Sequence, residues 1–279
     1  MMLKRTITAI ILIGILIPLI AIRNLLYVSY GFFGLLAVFG TYEIARLLKD
    51  EKKVSLVLSC ISTTVLYVCG LLAFEIGPLF LIGLSALLLP LITLCFDKNL
   101  NHLLHRFLSI LYPGLGFLAI SYLRHQDARL VVYLFAITLT TDTFALFYGL
   151  LFGKNRLAPK ISPKKTWEGA LGGSLIGTLV AGIFATMYGV LFDNNFQTIF
   201  DGYRLFAMES HFLKGLLIFV ISLLLTFVSQ FGDLFASKIK RTYDVKDYSN
   251  ILPGHGGIMD RFDSVTMTAI FLAIFVILI

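Results

Sequence analysis

The sequence contains little charge. Only 14% of its 279 residues are Asp, Glu, Lys or Arg, whereas 58% are hydrophobic. An average soluble domain is about 25% charged, so a soluble monomer of this composition would have too few charged side chains to cover its surface. The shortage excludes an ordinary soluble enzyme and a disordered chain, and it favours a polytopic membrane protein.

Cysteine is also scarce. The three cysteines, Cys60, Cys69 and Cys95, form no Cys-x-x-Cys pair, and no histidine is spaced with them as in a zinc site. This excludes a disulfide-stapled secreted module and a Cys–His zinc centre. We interpret the three thiols as small buried apolar side chains.

Long apolar runs are abundant. About 20 apolar residues cross a bilayer as a helix, and we predict an all-α, polytopic membrane protein in which residues 1–279 form one domain with about nine transmembrane helices. The predicted spans are 6–22, 26–47, 54–73, 78–96, 107–123, 130–152, 170–191, 215–235 and 264–279. Pro113 and neighbouring glycines weaken the fifth span, and the last is short for a full crossing.

The basic residues lie mainly at one end of these spans. If the N-terminus and alternate loops share one side, that side holds 18 of the 23 Lys and Arg residues. Because cytoplasmic loops are enriched in Lys and Arg, we expect a cytoplasmic N-terminus and cytoplasmic loops at 153–169 and 236–263. Residues 1–129 then form N-terminal helices of unassigned role, and 130–279 form the helices that carry the chemistry.

The first apolar run is longer than the core of a signal peptide, and it lacks a small-residue cleavage site. The chain is also compact and shows no transit peptide. We therefore expect an integral protein of a bacterial inner membrane, with its active site facing the cytoplasm.

The loop 236–263, with Asp233 just before it, concentrates acids, bases and glycines beside the membrane. Asp carboxylates are hard ligands for Mg²⁺, Lys and Arg neutralise phosphate oxygens, and glycine lets the backbone approach an anion. Together these residue types can hold a nucleoside triphosphate. Asp260 and Asp263 share a face if helical, and the dipole of a helix beginning near Ser264 would also favour phosphate. A basic surface for anionic lipids is the alternative, but it leaves the acids unexplained.

A second polar group lies upstream. Asp142 falls inside a predicted span, where an ionisable side chain is a candidate functional residue, although pairing with a neighbouring helix would also explain it. Ser162 and Thr166 offer hydroxyls, and Lys164 and Lys165 offer cations, just before the next span. Helix capping alone would also account for Thr166. The nearby glycines lack the spacing of a Walker A loop.

At these residues the chain resembles the phosphatidate cytidylyltransferases, or CDP-diacylglycerol synthases. The family motif reads Ser-x-apolar-Lys-Arg, four residues, Lys-Asp, a short spacer and His-Gly-Gly-apolar-x-Asp-Arg-apolar-Asp. The matching positions are Ser237, Lys240, Arg241, Lys246, Asp247, His255, Gly256, Gly257, Asp260, Arg261 and Asp263. Asp142 and the run 162–169 resemble the family's second block.

The resemblance implies that CTP and phosphatidic acid react to CDP-diacylglycerol and pyrophosphate. It implies Mg²⁺ as cofactor, with Asp233 and Asp260 as principal ligands, Asp263 and Asp142 as further ligand candidates, and a second cation left open. The catalytic candidates are Asp233, Lys240, Arg241, Lys246, Asp260, Arg261 and Asp263. The substrate-binding candidates are Ser162, Lys164, Lys165, Thr166, Ser237, Asp247, His255, Gly256 and Gly257.

Other functions stay open from the sequence. One is a cytidylyltransferase for another lipid phosphate. Another, of a different class, is a membrane transporter, which would also have charges and broken helices in the membrane. The expected partners are the two substrates and the lipid bilayer, and no nucleic acid is expected. The sequence leaves the oligomeric state open, with a homodimer as one possibility.

Overall fold

The computed structural model describes residues 11, 14–48, 53–76, 100–193, 197–251 and 256–279, without the side chains of 75, 76, 100 and 193. This part of the chain is almost entirely helical. Its long helices are α1 (Leu26–Ala45), α2 (Lys53–Ile76), α3 (Leu100–Gln126), α4 (Ala128–Phe152), α5 (Trp167–Thr186), α6 (His211–Thr242) and α7 (Met259–Leu278). A short antiparallel hairpin, β1 (Arg156–Ala158) and β2 (Ser162–Thr166), lies between α4 and α5.

These seven helices are long and apolar enough to cross a membrane. Helices are the expected form for apolar spans because a bilayer offers backbone groups no other hydrogen-bond partner. The prediction of an all-α polytopic protein is therefore confirmed. The predicted span 78–96 lies outside the described residues, and of the span 6–22 the stretch 14–21 is helical. The count of nine spans stays a prediction.

The expectation of a weak fifth span was wrong. Helix α3 continues through Pro113 and is longer than predicted. The adjacent glycines serve as close-packing positions: a Cβ on Gly116 would lie 2.5 Å from the Thr266 Cβ, and one on Gly114 would lie 2.8 Å from a Leu66 methyl group. Small residues let neighbouring membrane helices approach in this way.

The two predicted loops are shorter than expected, because helices and strands extend into them. Helix α6 continues to Thr242 and α7 begins at Met259, so the connection covers 243–258 instead of 236–263. At 20 residues, α7 spans about 30 Å, so the expectation of a short last span was wrong. In the loop predicted at 153–169, the hairpin occupies most of the length and α5 begins at Trp167.

The chain divides into two compact units, each described here by itself. The first unit combines the described residues of Met1–Gln126 with Lys240–Thr266. Its N-terminal helices carry buried polar contacts between helices: the Thr41 and Thr63 hydroxyls are 2.8 Å apart. The N-terminal helices, which the sequence left without a role, thus belong to the same unit as most of the motif.

The second unit combines Asp127–Ile239 with Met267–Ile279. In its core the Tyr133 hydroxyl lies 2.7 Å from the Ser222 hydroxyl, and the Gln230 amide donates to the Ser174 hydroxyl at 2.6 Å. Helices α4 and α5 pack at glycines; a Cβ on Gly173 would lie 2.6 Å from the carbonyl oxygen of Thr141. This close packing fixes the position of α4 and α5, the two helices that the hairpin connects.

Candidate active site

Asp260, in the first turn of α7, belongs to the motif segment, by which we mean the described residues of 240–263. Its Oδ1 accepts a hydrogen bond from Lys240 Nζ at 2.8 Å. Its Oδ2 accepts from the backbone N–H groups of Tyr248 at 2.8 Å and Gly257 at 2.9 Å. The two charged side chains are only 12% and 4% exposed. Asp260 of α7 thus contacts both the end of α6 and the segment that connects α6 to α7. The charge of Lys240 offsets that of the buried carboxylate.

The local backbone explains the glycines and one aspartate of this segment. Gly256 has a φ of +85°, a conformation that side-chain-bearing residues rarely adopt, and a Cβ there would lie 3.0 Å from Asp260 Oδ2. Asp244 has a φ of 54°; Asp and Asn are the side-chain-bearing residues that tolerate this region best. At Gly256 the backbone thus lies close to the carboxylate of Asp260.

Glu43 of α1 is a site residue that the sequence interpretation missed. Its side chain is fully buried, and its Oε1 accepts from the Ser249 hydroxyl at 2.5 Å and the Ile258 N–H at 2.9 Å, while Oε2 accepts from the Met259 N–H at 2.9 Å. A signal was present: Glu43 is an acid inside the predicted span 26–47, and such a residue is a candidate functional residue by default.

This arrangement corrects the expected phosphate site at the start of the last helix. That helix begins at Met259, not near Ser264. The N–H groups of Ile258 and Met259 donate to the Glu43 carboxylate. The N-terminus of α7, where the sequence predicts a favourable site for phosphate, therefore binds the Glu43 carboxylate instead.

A cavity of about 540 Å³ lies beside the motif segment in the first unit. Its lining residues are Arg46, Leu47, Tyr243, Val245, Asp247, Tyr248, Ser249 and Asn250. Arg46 also donates to the Tyr248 carbonyl at 2.9 Å. Burial, reinforced by Tyr112 and nearby carboxylates, raises the pKa of the Tyr248 phenol far above its usual value, so this side chain is neutral. The cavity therefore has a cationic, an anionic and several neutral polar groups on its wall.

The other motif block, in the second unit, is centred on Asp233. Lys165 Nζ of β2 lies 2.6 Å from Asp233 Oδ2, and the two side chains are 22% and 31% exposed. The Ser237 hydroxyl, one turn along α6, lies 3.4 Å from Asp233 Oδ1. The hairpin thus brings a predicted phosphate-binding lysine to a predicted metal ligand.

The hairpin is fastened to the start of α5. Glu168 accepts hydrogen bonds from the Lys154 N–H at 3.1 Å and from the Asn155 side-chain amide at 2.7 Å. The Arg156 guanidinium donates to the Pro163 carbonyl. Thr166 accepts from the Gly169 N–H at 3.2 Å, so it is the N-cap of α5, as one of the two interpretations of the sequence had it. These contacts fix the position from which Lys165 reaches Asp233.

The structure also describes the other predicted residues, with the exception of His255. Asp263 is on the same helix as Asp260, as expected if both share a face, and its carboxylate accepts from the Ser264 N–H at 2.8 Å. Arg241 donates to the Val245 carbonyl at 3.2 Å. The exposed members are Arg241, Lys246, Asp247, Arg261 and Lys164, and the partly buried ones are Asp142, Ser162 and Asp263. His255 lies outside the described residues.

The predicted metal ligands are divided between the two units, with Asp142 and Asp233 in the second and Asp260 and Asp263 in the first. Within the described ranges, no three His, Cys, Asp or Glu residues lie close enough together to hold a metal ion. Asp233 and Asp260 each contact a lysine instead. In each of these two places the partner of the carboxylate is an ammonium group, which is itself a cation.

Comparison with known proteins gives the family. The model of the cytidylyltransferase family matches residues 3–279. Phosphatidate cytidylyltransferases of Rickettsia bellii and Rickettsia typhi are 31% and 34% identical over 228 and 233 residues, which cover 80% and 81% of this chain and 92% and 93% of theirs. One of Staphylococcus haemolyticus is 36% identical over 157 residues, 56% of this chain and 52% of its own. The chain belongs to the cytidylyltransferase family.

Proposed function

We propose that this protein is a phosphatidate cytidylyltransferase that converts CTP and phosphatidic acid to CDP-diacylglycerol and pyrophosphate. Family membership and relatives of that name support an enzyme over a transporter. The observation that carries the proposal is the fold of the motif around Asp260, which Lys240 and two backbone N–H groups hold in a buried position. The motif residues thus form an ordered polar centre in a chain that is otherwise largely apolar.

The reaction joins two anions. A phosphate oxygen of phosphatidic acid attacks the α-phosphorus of CTP, a new P–O bond forms, and the bond from the α-phosphorus to the bridging oxygen breaks to release pyrophosphate. Since a phosphate monoester has a second pKa of about 6, the attacking group is already anionic near pH 7 and needs no strong base. The protein must mainly neutralise charge and position the reactants.

The basic residues of both blocks serve this purpose. Lys240 is already held by Asp260, and Lys165 by Asp233, so these two ammonium groups have defined positions. Lys240, Arg241, Lys246, Arg261, Lys164 and Lys165 are the cations that we assign to the phosphates of CTP and phosphatidic acid. Ser162, Thr166, Ser237 and the backbone of Gly256 and Gly257 complete the proposed phosphate-binding set, to which His255 also belongs.

We assign the nucleotide to the cavity lined by Arg46, Tyr243, Asp247 and Asn250. Its volume of about 540 Å³ falls within the range of about 300–1,000 Å³ typical of small-molecule sites. An arginine suits a phosphate, and carboxylate, amide and phenol groups suit the polar edge of a base. Asp247 is the predicted substrate-binding residue on its wall.

A divalent cation fits Asp233 better than Asp260. The Asp233 side chain is 31% exposed, and Lys165 is its charged contact among the described residues, so a cation can approach the carboxylate from its exposed side. Asp260 is 4% exposed and accepts three hydrogen bonds, which use three of about four acceptor positions of a carboxylate. We propose Asp233 as the main Mg²⁺ ligand, with Asp260, Asp263 and Asp142 as further candidates and a second cation left open. When bound, Mg²⁺ would neutralise phosphate charge.

The proposed membrane arrangement meets the needs of both substrates. We propose nine spans, a cytoplasmic N-terminus and an active site that faces the cytoplasm of a bacterial inner membrane. CTP is soluble in the cytoplasm, and phosphatidic acid keeps its acyl chains in the bilayer and its phosphate at the interface. The bias of Lys and Arg toward one side supports this orientation. A homodimer is compatible with it.

The test is an assay of the purified protein with labelled CTP, phosphatidic acid and Mg²⁺ in mixed micelles. We expect label in CDP-diacylglycerol and one pyrophosphate released per turnover. A lack of CDP-lipid across several metals and detergents would contradict the proposal. Faster turnover with a different lipid phosphate, such as an ether-linked one, would favour the related cytidylyltransferase instead.

A further inference from the structure

Glu43 lies beside the candidate active site but has no role in the proposed reaction. It lies on α1, outside both motif blocks, and its buried carboxylate accepts hydrogen bonds from Ser249, Ile258 and Met259. These partners are more than 200 positions away in the sequence. A buried carboxylate is costly unless its oxygens are hydrogen-bonded, and here these three hydrogen bonds all come from residues that precede Asp260 in the sequence.

We propose that Glu43 is a positioning residue: it holds Ser249, Ile258 and Met259 so that Asp260 and the wall of the nucleotide cavity keep the geometry needed for cytidylyl transfer. The inference rests on the proposed function. Glu43 does not touch substrate; it acts through the segment that it binds.

Two carboxylates share the hydrogen-bond donors of this segment. The N–H groups of Tyr248 and Gly257 donate to Asp260, whereas the next two N–H groups, of Ile258 and Met259, donate to Glu43. Because neighbouring donors are divided between the two acids, a displacement of Glu43 would also displace the groups that hold Asp260. The dipole at the start of α7 further favours a carboxylate at this point.

Gly257 leaves the space that this arrangement needs. A Cβ at this position would lie 2.6 Å from both carboxylate oxygens of Glu43, far inside van der Waals contact. The absence of a side chain therefore lets the Glu43 carboxylate reach the two following N–H groups. This gives the second glycine of the His-Gly-Gly element a physical role.

Helix α1 is itself well supported at this end. The His105 ring of α3 lies 2.9 Å from the Ile44 carbonyl, so α3 holds the C-terminal turn of α1. Arg46, three residues after Glu43, donates to the Tyr248 carbonyl at 2.9 Å. Glu43 in α1 and Arg46 just after it thus hold the motif segment at two points, one helical turn apart in the sequence.

The test compares Glu43→Gln with a control, Thr41→Val. Glutamine keeps the size of the side chain, but its amide N–H₂ group replaces one of the two Glu43 oxygens that now accept hydrogen bonds. Thr41 lies on the same helix as Glu43, and valine at this position removes a buried hydrogen bond to Thr63 of α2 while leaving the motif segment untouched. Both variants are to be purified in detergent, checked for folding by thermal unfolding, and assayed per folded molecule.

We expect Glu43→Gln to speed backbone hydrogen exchange in peptides covering 248–260. It should also lower kcat/KM for CTP by at least about tenfold, with a raised KM for CTP. The reason is that hydrogen bonds to a charged group are stronger than those between neutral groups. Thr41→Val should leave both the local exchange and KM for CTP within twofold of the wild type. If Glu43→Gln does not fold, Ser249→Ala removes one of the three donors and should move both measurements in the same direction.

Unchanged exchange at 248–260, or an activity loss that only follows the loss of folded protein, would overturn the proposal. A wild-type protein that makes no CDP-lipid would overturn the proposed function instead. The exchange measurement would still decide whether Glu43 holds the segment.

Discussion

At the scale of single residues, the charge of Asp260 determines how Lys240 is held. The pair is almost completely buried and 2.8 Å apart, so removing one charge leaves the other without its counter-ion, at a cost of about 3–5 kcal/mol for a buried pair. Asn also has only one acceptor oxygen, so its N–H₂ group would face either Lys240 or the N–H groups of Tyr248 and Gly257, which now donate to Asp260.

We therefore expect Asp260→Asn to lower kcat more than 100-fold and to lower the thermal unfolding midpoint. The CTP assay and a thermal unfolding scan check both effects. Asp244→Asn makes the same chemical change at an exposed position of the same segment, and asparagine also tolerates its φ of 54°. Activity of Asp260→Asn within a few-fold of the Asp244→Asn control would contradict the assigned role.

Gly257 permits a second prediction about single residues. Gly257→Ala should lower the unfolding midpoint and kcat, because its Cβ would lie 2.6 Å from both Glu43 oxygens. Gly31→Ala is the matched control: it lies in α1 with no atom within 4 Å of an added Cβ, and alanine favours the helix by roughly 0.5–1 kcal/mol. Equal midpoints for the two variants would show that the turn has room for a side chain.

At the scale of elements, the helices were predictable where apolar runs decide the structure, and their ends were not. The start of α7 at Met259 depends on Glu43, a partner far away in the sequence. The hairpin strand Ser162–Thr166 has a proline and two lysines and none of the alternation typical of strands. Its position follows from contacts with α5 and α6, which no local pattern reveals.

The contact of the hairpin with α6 allows a prediction about Lys165. Lys165→Met should reduce kcat/KM at least tenfold, because Asp233 loses its cation and the proposed phosphate site loses a charge. The unfolding midpoint should change little, since a pair this exposed contributes about 0–1 kcal/mol. Lys160→Met, at the exposed turn of the same hairpin, should stay within twofold in kcat/KM. Equal activities of the two variants would remove Lys165 from the site.

At the scale of the whole molecule, charge is scarce but concentrated. Of the 39 charged residues, 17 lie in 142–169 and 233–263. The charge pattern and the motif identified these two blocks from the sequence, and the family model matches the chain over residues 3–279. The N-terminal helices were identified only as apolar, although one of their acids holds the motif segment. An apolar run indicates that a helix contacts lipid or other helices. It does not indicate which distant segment of the chain the helix contacts.

The proposed orientation yields the last prediction. In a background where Cys60, Cys69 and Cys95 are replaced by serine, single cysteines at Lys160 and Glu209 should label on opposite sides of the membrane. An impermeant thiol reagent should label Glu209→Cys in intact cells with a permeable outer membrane, and Lys160→Cys only after the inner membrane is opened. Both positions are exposed or partly exposed, so access to solvent does not limit the reaction. Labelling of Lys160→Cys in intact cells would place the hairpin outside, where CTP is absent, and would contradict both the orientation and the cytoplasmic site.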